Sequence, residues 1–349
     1  MMSIFNGISA PQYAITVDGK NITSRINSRL LSLNLVDNRG FDADTLTLVI
    51  DDSDGLMDLP KRGVKINVKI GFGALIDRGD FVVDAVSHTG APDVITISAN
   101  SADFRKKLLE QKNKAYHQKT IKEIVEAIAG EHKLESRVAE ELANIKVQDR
   151  QQRNESDANF LTRLAEEFDA VATVKKGTIL FLKRGESKTA SGQELPTIII
   201  TRNQGDNHSY SVNDRDAYTG IKAKYTTTKN GVRKEVLVGD DERTKMLRRI
   251  YKTEGEARAA AENELKRVQR AAASFSFTLA MGRPELIAES PVKVLGFKAE
   301  IDSQNWIATR VTHNLDQSGL TTQVECEVIL EKGLYKKYRI KESPTDNIK

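Results

Sequence analysis

The stretch of sequence that decides the fold is Glu155-Ser-Asp-Ala-Asn-Phe-Leu-Thr-Arg-Leu-Ala-Glu-Glu-Phe-Asp-Ala-Val171. Its apolar residues recur every three or four positions, which predicts one short amphipathic helix lying on a core. That face comprises Phe160, Leu161, Leu164, Ala165 and Phe168. Ser156 is expected to cap the helix, with Asp157 in its first turn, where a carboxylate suits the exposed amides. We interpret the stretch first as a structural anchor.

The opposite side of this helix is charged and carries Arg163, Glu166 and Glu167. Adjacent helix positions point about 100° apart, so the two glutamates do not face each other as a catalytic pair would. We expect this side to be a solvated surface at the rim of an assembly.

Length and composition indicate a soluble chain with more than one domain. The chain has 349 residues, 39% of them hydrophobic and 29% charged, which suggests two or three domains. No apolar run approaches the roughly 18–20 residues that span a bilayer. The first residues lack the basic and apolar regions of a secretory signal, so we expect folding in the cytoplasm. The single cysteine, Cys326, is predicted on a buried strand face and cannot form an internal disulfide.

The net charge of +4 is too small to indicate a dedicated nucleic-acid binder, and we predict no sequence-specific nucleic acid as a partner. Neither of the basic clusters, at 105–119 and 336–341, has interleaved aromatic residues at a spacing suited to base stacking. We interpret them as a solvated face and a loose tail.

The pattern along the chain predicts an α+β, β-dominated fold. The first hundred residues alternate like antiparallel strands, at 13–17, 30–36, 46–50, 64–70, 81–87 and 94–99. A helix follows Thr120, which forms a capping box with Glu123 and is expected to end at Gly130 in a left-handed conformation. A second short helix is predicted at 136–142, and a hairpin at 171–182 turns at Lys176-Gly177.

Strand patterns return after a linker at 183–196. They predict strands at 198–201 and 210–213, a hairpin at 221–238 turning at Asn230-Gly231, and later strands at 292–295, 306–313 and 321–330. Phe275, Phe277, Leu279 and Met281 alternate as another strand, after one helix that begins at a Thr253–Glu256 capping box and carries a small-residue stripe.

Four regions result. They are a first antiparallel β-barrel or sandwich domain at 1–105, with strands from about 197–225 as candidates to complete it, a helical α+β insertion domain at 106–185, a second β domain of the same kind with one long helix at 186–333, and a basic, flexible tail at 334–349.

Searches for catalytic and metal motifs give no site. Asp51-Asp-Ser-Asp-Gly55 resembles a calcium loop, but the twelfth position is Lys61 where a glutamate is needed. Gly71-Phe-Gly73 lacks the third glycine of a dinucleotide fingerprint. The five histidines are scattered singly, and no serine sits in a nucleophile-elbow motif. We therefore predict no catalytic, cofactor-binding or metal residue, and no enzyme.

The order of these parts resembles the late control D family of contractile phage tails, which is related to the front half of VgrG proteins of type VI secretion. Residues 155–167 are similar to that family's signature, at the positions Glu155, Ser156, Asp157, Phe160, Leu161, Arg163, Leu164, Glu166 and Glu167. Segments at 79–99, 120–129 and 254–330 resemble its early strands, first helix and last domain.

The resemblance implies a structural baseplate hub, a homotrimer whose six tube-like domains join a hexameric tail tube to a trimeric spike. Tape-measure and other baseplate proteins are further candidate partners, and the expected location is the virion baseplate. The sequence shows no spike or lysozyme module after this region, which favours a phage or tailocin hub over a secretion-system hub.

Two alternatives from other classes stay open beside the hub of a type VI secretion-like machine. One is a tail-tip cell-wall hydrolase, which requires an acid/base pair on separate elements. The other is a β-sandwich adhesin, although the only tryptophan, Trp306, sits in a strand pattern and is expected in a core.

Overall fold

The computed structural model describes residues 10–101, 107–175, 177–185, 193, 195–212, 218–226, 232–271, 273–329 and 338–341. The α+β, β-dominated class is confirmed. The described helices are α1 (Thr23–Ile26), α2 (Ile121–Glu131), α3 (Glu140–Ala143), α4 (Asp157–Glu167), α5 (Glu254–Arg270) and α6 (Ala299–Asp302), with a 3₁₀ turn at Arg202–Gln204.

The first β unit contains all six strands predicted for it, plus a short one. Its strands are β1 (Pro11–Val17), β2 (Lys20–Asn21), β3 (Leu30–Asn38), β4 (Thr45–Asp51), β5 (Lys65–Phe72), β6 (Ala74–Thr89) and β7 (Val94–Ser101). Alternation places one side of each strand inward: Leu46, Leu48 and Ile50 of β4 are buried while the residues between them are partly exposed. These side chains form the core of the unit.

The insertion unit is a small α+β body built around α2 and α4. Its strands are β8 (Gln111–Tyr116), β9 (Lys119–Thr120), β10 (Glu135–Val138), β11 (Lys146–Val147), β12 (Arg150–Ser156), β13 (Ala170–Lys175) and β14 (Thr178–Lys183). The apolar faces of α2 and α4 share one core with β13 and β14.

Three local predictions in this unit can be checked. The Thr120–Glu123 capping box is confirmed. The predicted end at Gly130 is wrong, because α2 runs to Glu131 and the left-handed residue is Lys133, at φ 55°. The predicted helix at 136–142 is wrong in its first half, since Glu135–Val138 pairs as a parallel strand with β14. Lys176 lies outside the described residues.

The second β unit comprises β15 (Ile198–Thr201), β16 (Gly205–Val212), β20 (Ala273–Leu279), β21 (Pro291–Leu295), β22 (Trp306–Asp316) and β23 (Gly319–Val328). Trp306 is fully buried in its core, as predicted, and Cys326 is also buried there. Met281, expected to continue the strand pattern, lies beyond β20 and is 47% exposed.

A helix–sheet unit stands beside it with its own core. Helix α5 packs on the sheet of β17 (Gly220–Thr226), β18 (Arg233–Gly239), β19 (Thr244–Tyr251) and β24 (Tyr338–Lys341), in the order β19-β17-β18-β24. Ala257, Ala261 and Leu265 of the predicted small-residue stripe are buried against it. The Asn230-Gly231 turn and Ala272 lie outside the described residues, as does most of the predicted tail.

One pairing joins the two β units into a single sheet. Strand β22 pairs antiparallel with β23 on one side and with β3 on the other, where Val36 lies opposite Thr312. Leu315 and Leu320 of the second unit enter the core of the first. The strands between 197 and 225 pair outside the first unit: β15 pairs with β21, β16 with β20, and β17 with β18 and β19. The completing strand comes from β22 instead.

Candidate functional site

Helix α4 begins at a capped and unusually well-connected turn. Ser156 Oγ accepts a hydrogen bond from the N–H of Asn159 at 3.2 Å, as the sequence predicts. Asp157 is fully buried, and its carboxylate accepts from Gln152 Nε2 at 2.9 Å and lies 2.6 Å from His132 Nε2. The sequence predicted only a favourable position for Asp157 in the first turn. A buried carboxylate needs such partners, so this one fixes α4 against α2 and β12.

The carboxylates around His132 carry lysine partners. Ligand atoms of Glu131, His132 and Asp157 lie within 4.8 Å of one another, a spacing that a metal ion could use. The ammonium of Lys112 lies 2.5 Å from both Glu131 and Asp157, and Lys114 also pairs with Glu131. These two ammonium groups supply the positive charge that a cation would bring. We therefore interpret the cluster as a structural ion-pair node.

The apolar face of α4 lies in the core of the insertion unit. A charged residue on its outer side makes further contacts with β12. Phe160, Leu161 and Leu164 are buried, and Phe160 stacks on Tyr116 with 5.0 Å between ring centroids. Arg163 donates two hydrogen bonds to Glu155, at 3.0 and 2.8 Å, and its guanidinium lies 5.2 Å from the centre of the Phe160 ring. This contact holds α4 against the end of β12.

The two glutamates at the end of α4 have different environments. Glu166 is exposed, as predicted. Glu167 is not a free surface residue: it accepts from Arg150 Nε at 3.2 Å and from Arg249 Nη1 at 3.2 Å. Its carbonyl oxygen accepts from Asn263 Nδ2 of α5 at 2.8 Å. The expectation of a solvated Glu167 is therefore wrong, because the fold brings α5 and β19 to this helix end.

A cleft of about 370 Å³ opens between this end of α4 and α5. Its walls include Phe168, Ile250 and Tyr251, with the Glu167–Arg249 ion pair across it. The cleft follows the contact between the insertion unit and the helix–sheet unit.

Asp169, immediately after α4, begins a buried ionic junction between the units. Its carboxylate accepts from Arg270 Nη1 at 3.1 Å, and both side chains are about 5% exposed. Arg270 ends α5, and its Nε lies 3.9 Å from Glu327 on β23. The insertion unit is thus tied through one arginine to both α5 and the second β unit.

The opposite side of the insertion unit is tied to the first β unit. Lys175 Nζ donates to Asp37 at 2.8 Å and to Asp44 at 2.6 Å. Arg78 donates to Asp37 at 3.1 Å and to the carbonyl oxygen of Pro284 at 3.2 Å. Burial raises the pKa of the Asp44 carboxyl, and burial also opposes the charge on Lys175, but Asp37 and Asp44 raise the Lys175 pKa overall.

Arg39 connects the two β units directly. It pairs with Glu289 and, at 2.5 Å, with Glu327. Burial opposes the Arg39 charge, but the two glutamates raise its pKa, while burial raises the pKa of Glu289. Arg184 has its pKa lowered by burial and by the nearby Arg39 and Arg270. We define the ionic junction as Asp37, Arg39, Asp44, Arg78, Asp169, Lys175, Arg184, Arg270, Glu289 and Glu327.

His313 lies beside this junction and is uncharged. Its Nε2 lies 3.3 Å from the carbonyl oxygen of Leu286, and its Nδ1 lies 2.9 Å from Thr322 Oγ1. Burial, reinforced by the charge of Arg78, lowers the pKa of His313 to about 3.

The junction carries as many carboxylates as cations, drawn from both β units, the insertion unit and α5. Removing one partner from such a buried pair typically costs about 3–5 kcal/mol, because the other charge is left uncompensated. The arrangement can therefore fix the relative orientation of the units. A signal for it exists in the sequence, since Asp37 and Arg39 follow the apolar residues of β3 directly, but no local pattern identifies their partners.

None of the helices in the described ranges is both long enough and apolar enough to cross a bilayer.

Comparison with known proteins identifies the family. The family model described as phage tail baseplate hub (GPD) matches residues 63–319. The "Probable baseplate hub protein" of Escherichia phage 186 is 40% identical over 373 residues, and the alignment covers 94% of this chain and 96% of the relative. The "Probable baseplate hub protein" of Escherichia phage P2 is 41% identical, and the alignment covers 92% of this chain and 94% of the relative. The 43 kDa tail protein of prophage MuSo2 from Shewanella oneidensis has the same fold, with a TM-score of 0.68 at 15% identity, covering 91% of this chain and 98% of that one. The predicted family is confirmed: the chain belongs to the phage tail baseplate hub proteins.

Proposed function

We propose that this baseplate hub works as a homotrimeric ring in a contractile phage tail or tailocin, joining a hexameric tail tube to a trimeric central spike. The observation that carries the proposal is the pairing of β3 with β22, which fixes two β units side by side in one sheet. Three copies would present six β units to a tube while keeping threefold symmetry toward a spike. Most homo-oligomers have closed point-group symmetry, and head-to-tail contacts form a ring when their rotation closes.

The ionic junction supports the same role. A ring that transmits force from a tube to a spike requires units that keep their relative orientation, and Arg39, Arg270 and Lys175 each connect two units through buried pairs. The chain acts as a structural part of the virion baseplate rather than as an enzyme, and it assembles in the cytoplasm of the host. Its partners are the spike and tube proteins, with the tape-measure protein as a further candidate.

The test combines mass in solution with capture of partners. Mass photometry of the purified chain is expected to show three times 38.8 kDa, and two-dimensional electron-microscopy classes viewed along the axis should show six lobes. Co-expression with the spike and tube proteins of the same tail should give a complex that co-purifies. A stable monomer that binds neither protein would refute the proposal.

A further inference from the structure

The loop between β4 and β5 exposes two leucines to solvent. Leu56 is 76% exposed, the highest value among the exposed large hydrophobic residues of the described chain, and Leu59 is 56% exposed. Met57 between them points the other way and packs against the core of the first β unit. Exposed leucines on an anchored loop are typical of a protein contact surface.

This loop is held in shape by its own hydrogen bonds. Asp52 accepts from the N–H of Met57 at 2.9 Å, and Asp54 accepts from the N–H of Leu56 at 3.1 Å. Arg29, the residue directly before β3, pairs with Asp54, at 2.7 Å for the Nη1 contact. A loop ordered before binding loses less entropy when it docks.

The loop is also acidic. Four aspartates occur between residues 51 and 58. Asp58, between the two exposed leucines, is itself exposed and has no ion pair within the described chain. We call residues 52–60 the leucine loop.

A surface with the opposite character lies on the helix–sheet unit. Helix α5 covers one face of its sheet, and the strand register shows what lies on the other. Lys222 lies beside Met246 on β19, and Lys224 lies beside Ile250, so both cations share a face with these apolar residues. Met246 is 40% exposed and Ile250 is 43% exposed.

Four cations on and around this face have no ion-pair partner among the described residues. Lys222, Lys224, Arg233 and Arg248 make no ion pair with any described residue, and Glu235, opposite Lys224, is the acidic residue among them. We call Lys222, Lys224, Arg233, Met246, Arg248 and Ile250 the basic face.

We propose that the leucine loop of one copy docks on the basic face of a neighbouring copy. Leu56 and Leu59 would cover Met246 and Ile250, and Asp58 would meet Lys222 or Lys224. The two surfaces differ in the sign of their charge, and both carry exposed apolar residues. They belong to different units of one chain, so the contact is heterologous, the type that closes a ring when its rotation allows. This inference rests on the proposed trimer and names the surfaces that hold it.

Cross-linking of co-expressed variants tests the geometry directly. One copy carries Leu59→Cys and the other Met246→Cys, with different affinity tags, and a short bis-maleimide is added. Burial raises the pKa of the native Cys326 thiol, which keeps it from competing. A cross-linked species carrying both tags is expected. The matched control replaces Met246→Cys with Leu109→Cys, which is exposed on the insertion unit, and should give no such species.

Charge reversal tests the energetics. Lys222→Glu with Lys224→Glu should raise the concentration at which the trimer dissociates by tenfold or more, and adding Asp58→Lys should restore much of the loss. The control is Arg137→Glu with Arg153→Glu, two exposed arginines of the insertion unit. It makes the same change of charge outside the leucine loop and the basic face. Circular dichroism confirms that each variant is folded.

The outcomes separate the two proposals. If the trimer forms but the cross-linked species does not, and if Lys222→Glu with Lys224→Glu leaves trimer stability unchanged, the docking contact alone is overturned. A monomer at every concentration overturns the ring itself.

Discussion

The buried His313 should make the second β unit sensitive to acid. In the folded chain its pKa is lowered to about 3, whereas the pKa of a histidine in the unfolded chain lies near its ordinary value of 6.5. Between these two values the unfolded chain binds a proton that the folded chain does not. The free energy of unfolding therefore falls as the pH falls through this window. Well above pH 6.5 this histidine does not affect it.

The size of the effect follows from the length of the window. Each pH unit below 6.5 removes about 1.4 kcal/mol from the free energy of unfolding until the folded pKa is reached. Compared with a pH well above 6.5, pH 4.5 should therefore cost about 2.7 kcal/mol from His313 alone. The direction agrees with the contacts, since the neutral ring can donate to Leu286 and accept from Thr322, whose hydroxyl also accepts from the N–H of Arg283.

Urea unfolding measured by the fluorescence of Trp306 suits the assay, because this residue is buried on the same strand, β22. The free energy of unfolding is measured at pH 7, 5.5 and 4.5 for the native chain and for His313→Gln, which cannot titrate. The difference between the two curves isolates this histidine from the carboxylates, and His208→Gln controls for loss of an exposed histidine. Parallel curves for the native chain and His313→Gln would refute the reasoning.

Three further outcomes test the packing of the signature helix, the junction and the buried thiol. Arg270→Ala should lower the free energy of unfolding by about 3–5 kcal/mol, because it leaves the buried Asp169 unpaired; chemical denaturation measures the loss, and a change below about 1 kcal/mol would contradict it. Phe160→Ala should lower the free energy of unfolding by about 3–5 kcal/mol in the same assay. Glu166→Ala, on the exposed side of α4, should change it by less than about 0.5 kcal/mol, and equal effects of the two variants would disprove the assigned faces. Cys326 should react with a thiol reagent only after denaturant is added, since its burial raises the thiol pKa; rapid labelling of the native chain would show that the site opens.

Patterns confined to one segment predicted structure well. The alternation of Leu46, Leu48 and Ile50 gave β4 to within one residue at each end, and the Thr120–Glu123 pair marked the start of α2. The predictions failed where a distant strand decided the outcome. Residues 136–138 resemble a helix by composition, but pairing of Ser136 with Ile179 makes them extended. Periodicity carries no information about such a partner.

The ion pairs of the ionic junction could not be predicted from the sequence for the same reason. Arg270 meets a carboxylate 101 positions away, and Arg39 meets one 288 positions away. Charged residues usually indicate a solvated surface, and only the fold shows that these are enclosed. For α4 the apolar face follows from the spacing of its residues, whereas the partners of Asp157 and Glu167 depend on the tertiary fold.

The pairing of β3 with β22 has a consequence for biosynthesis. Strand β3 leaves the ribosome roughly 270 residues before β22, and at about 5–20 residues per second its partner arrives roughly 15 to 50 seconds later. Until then the first unit carries an unpaired strand edge and lacks Leu315 and Leu320 from its core. Unpaired edges of this kind promote aggregation. The nascent chain therefore exposes this strand edge for a long period. A chaperone that covers the edge during this period should raise the yield of folded hub.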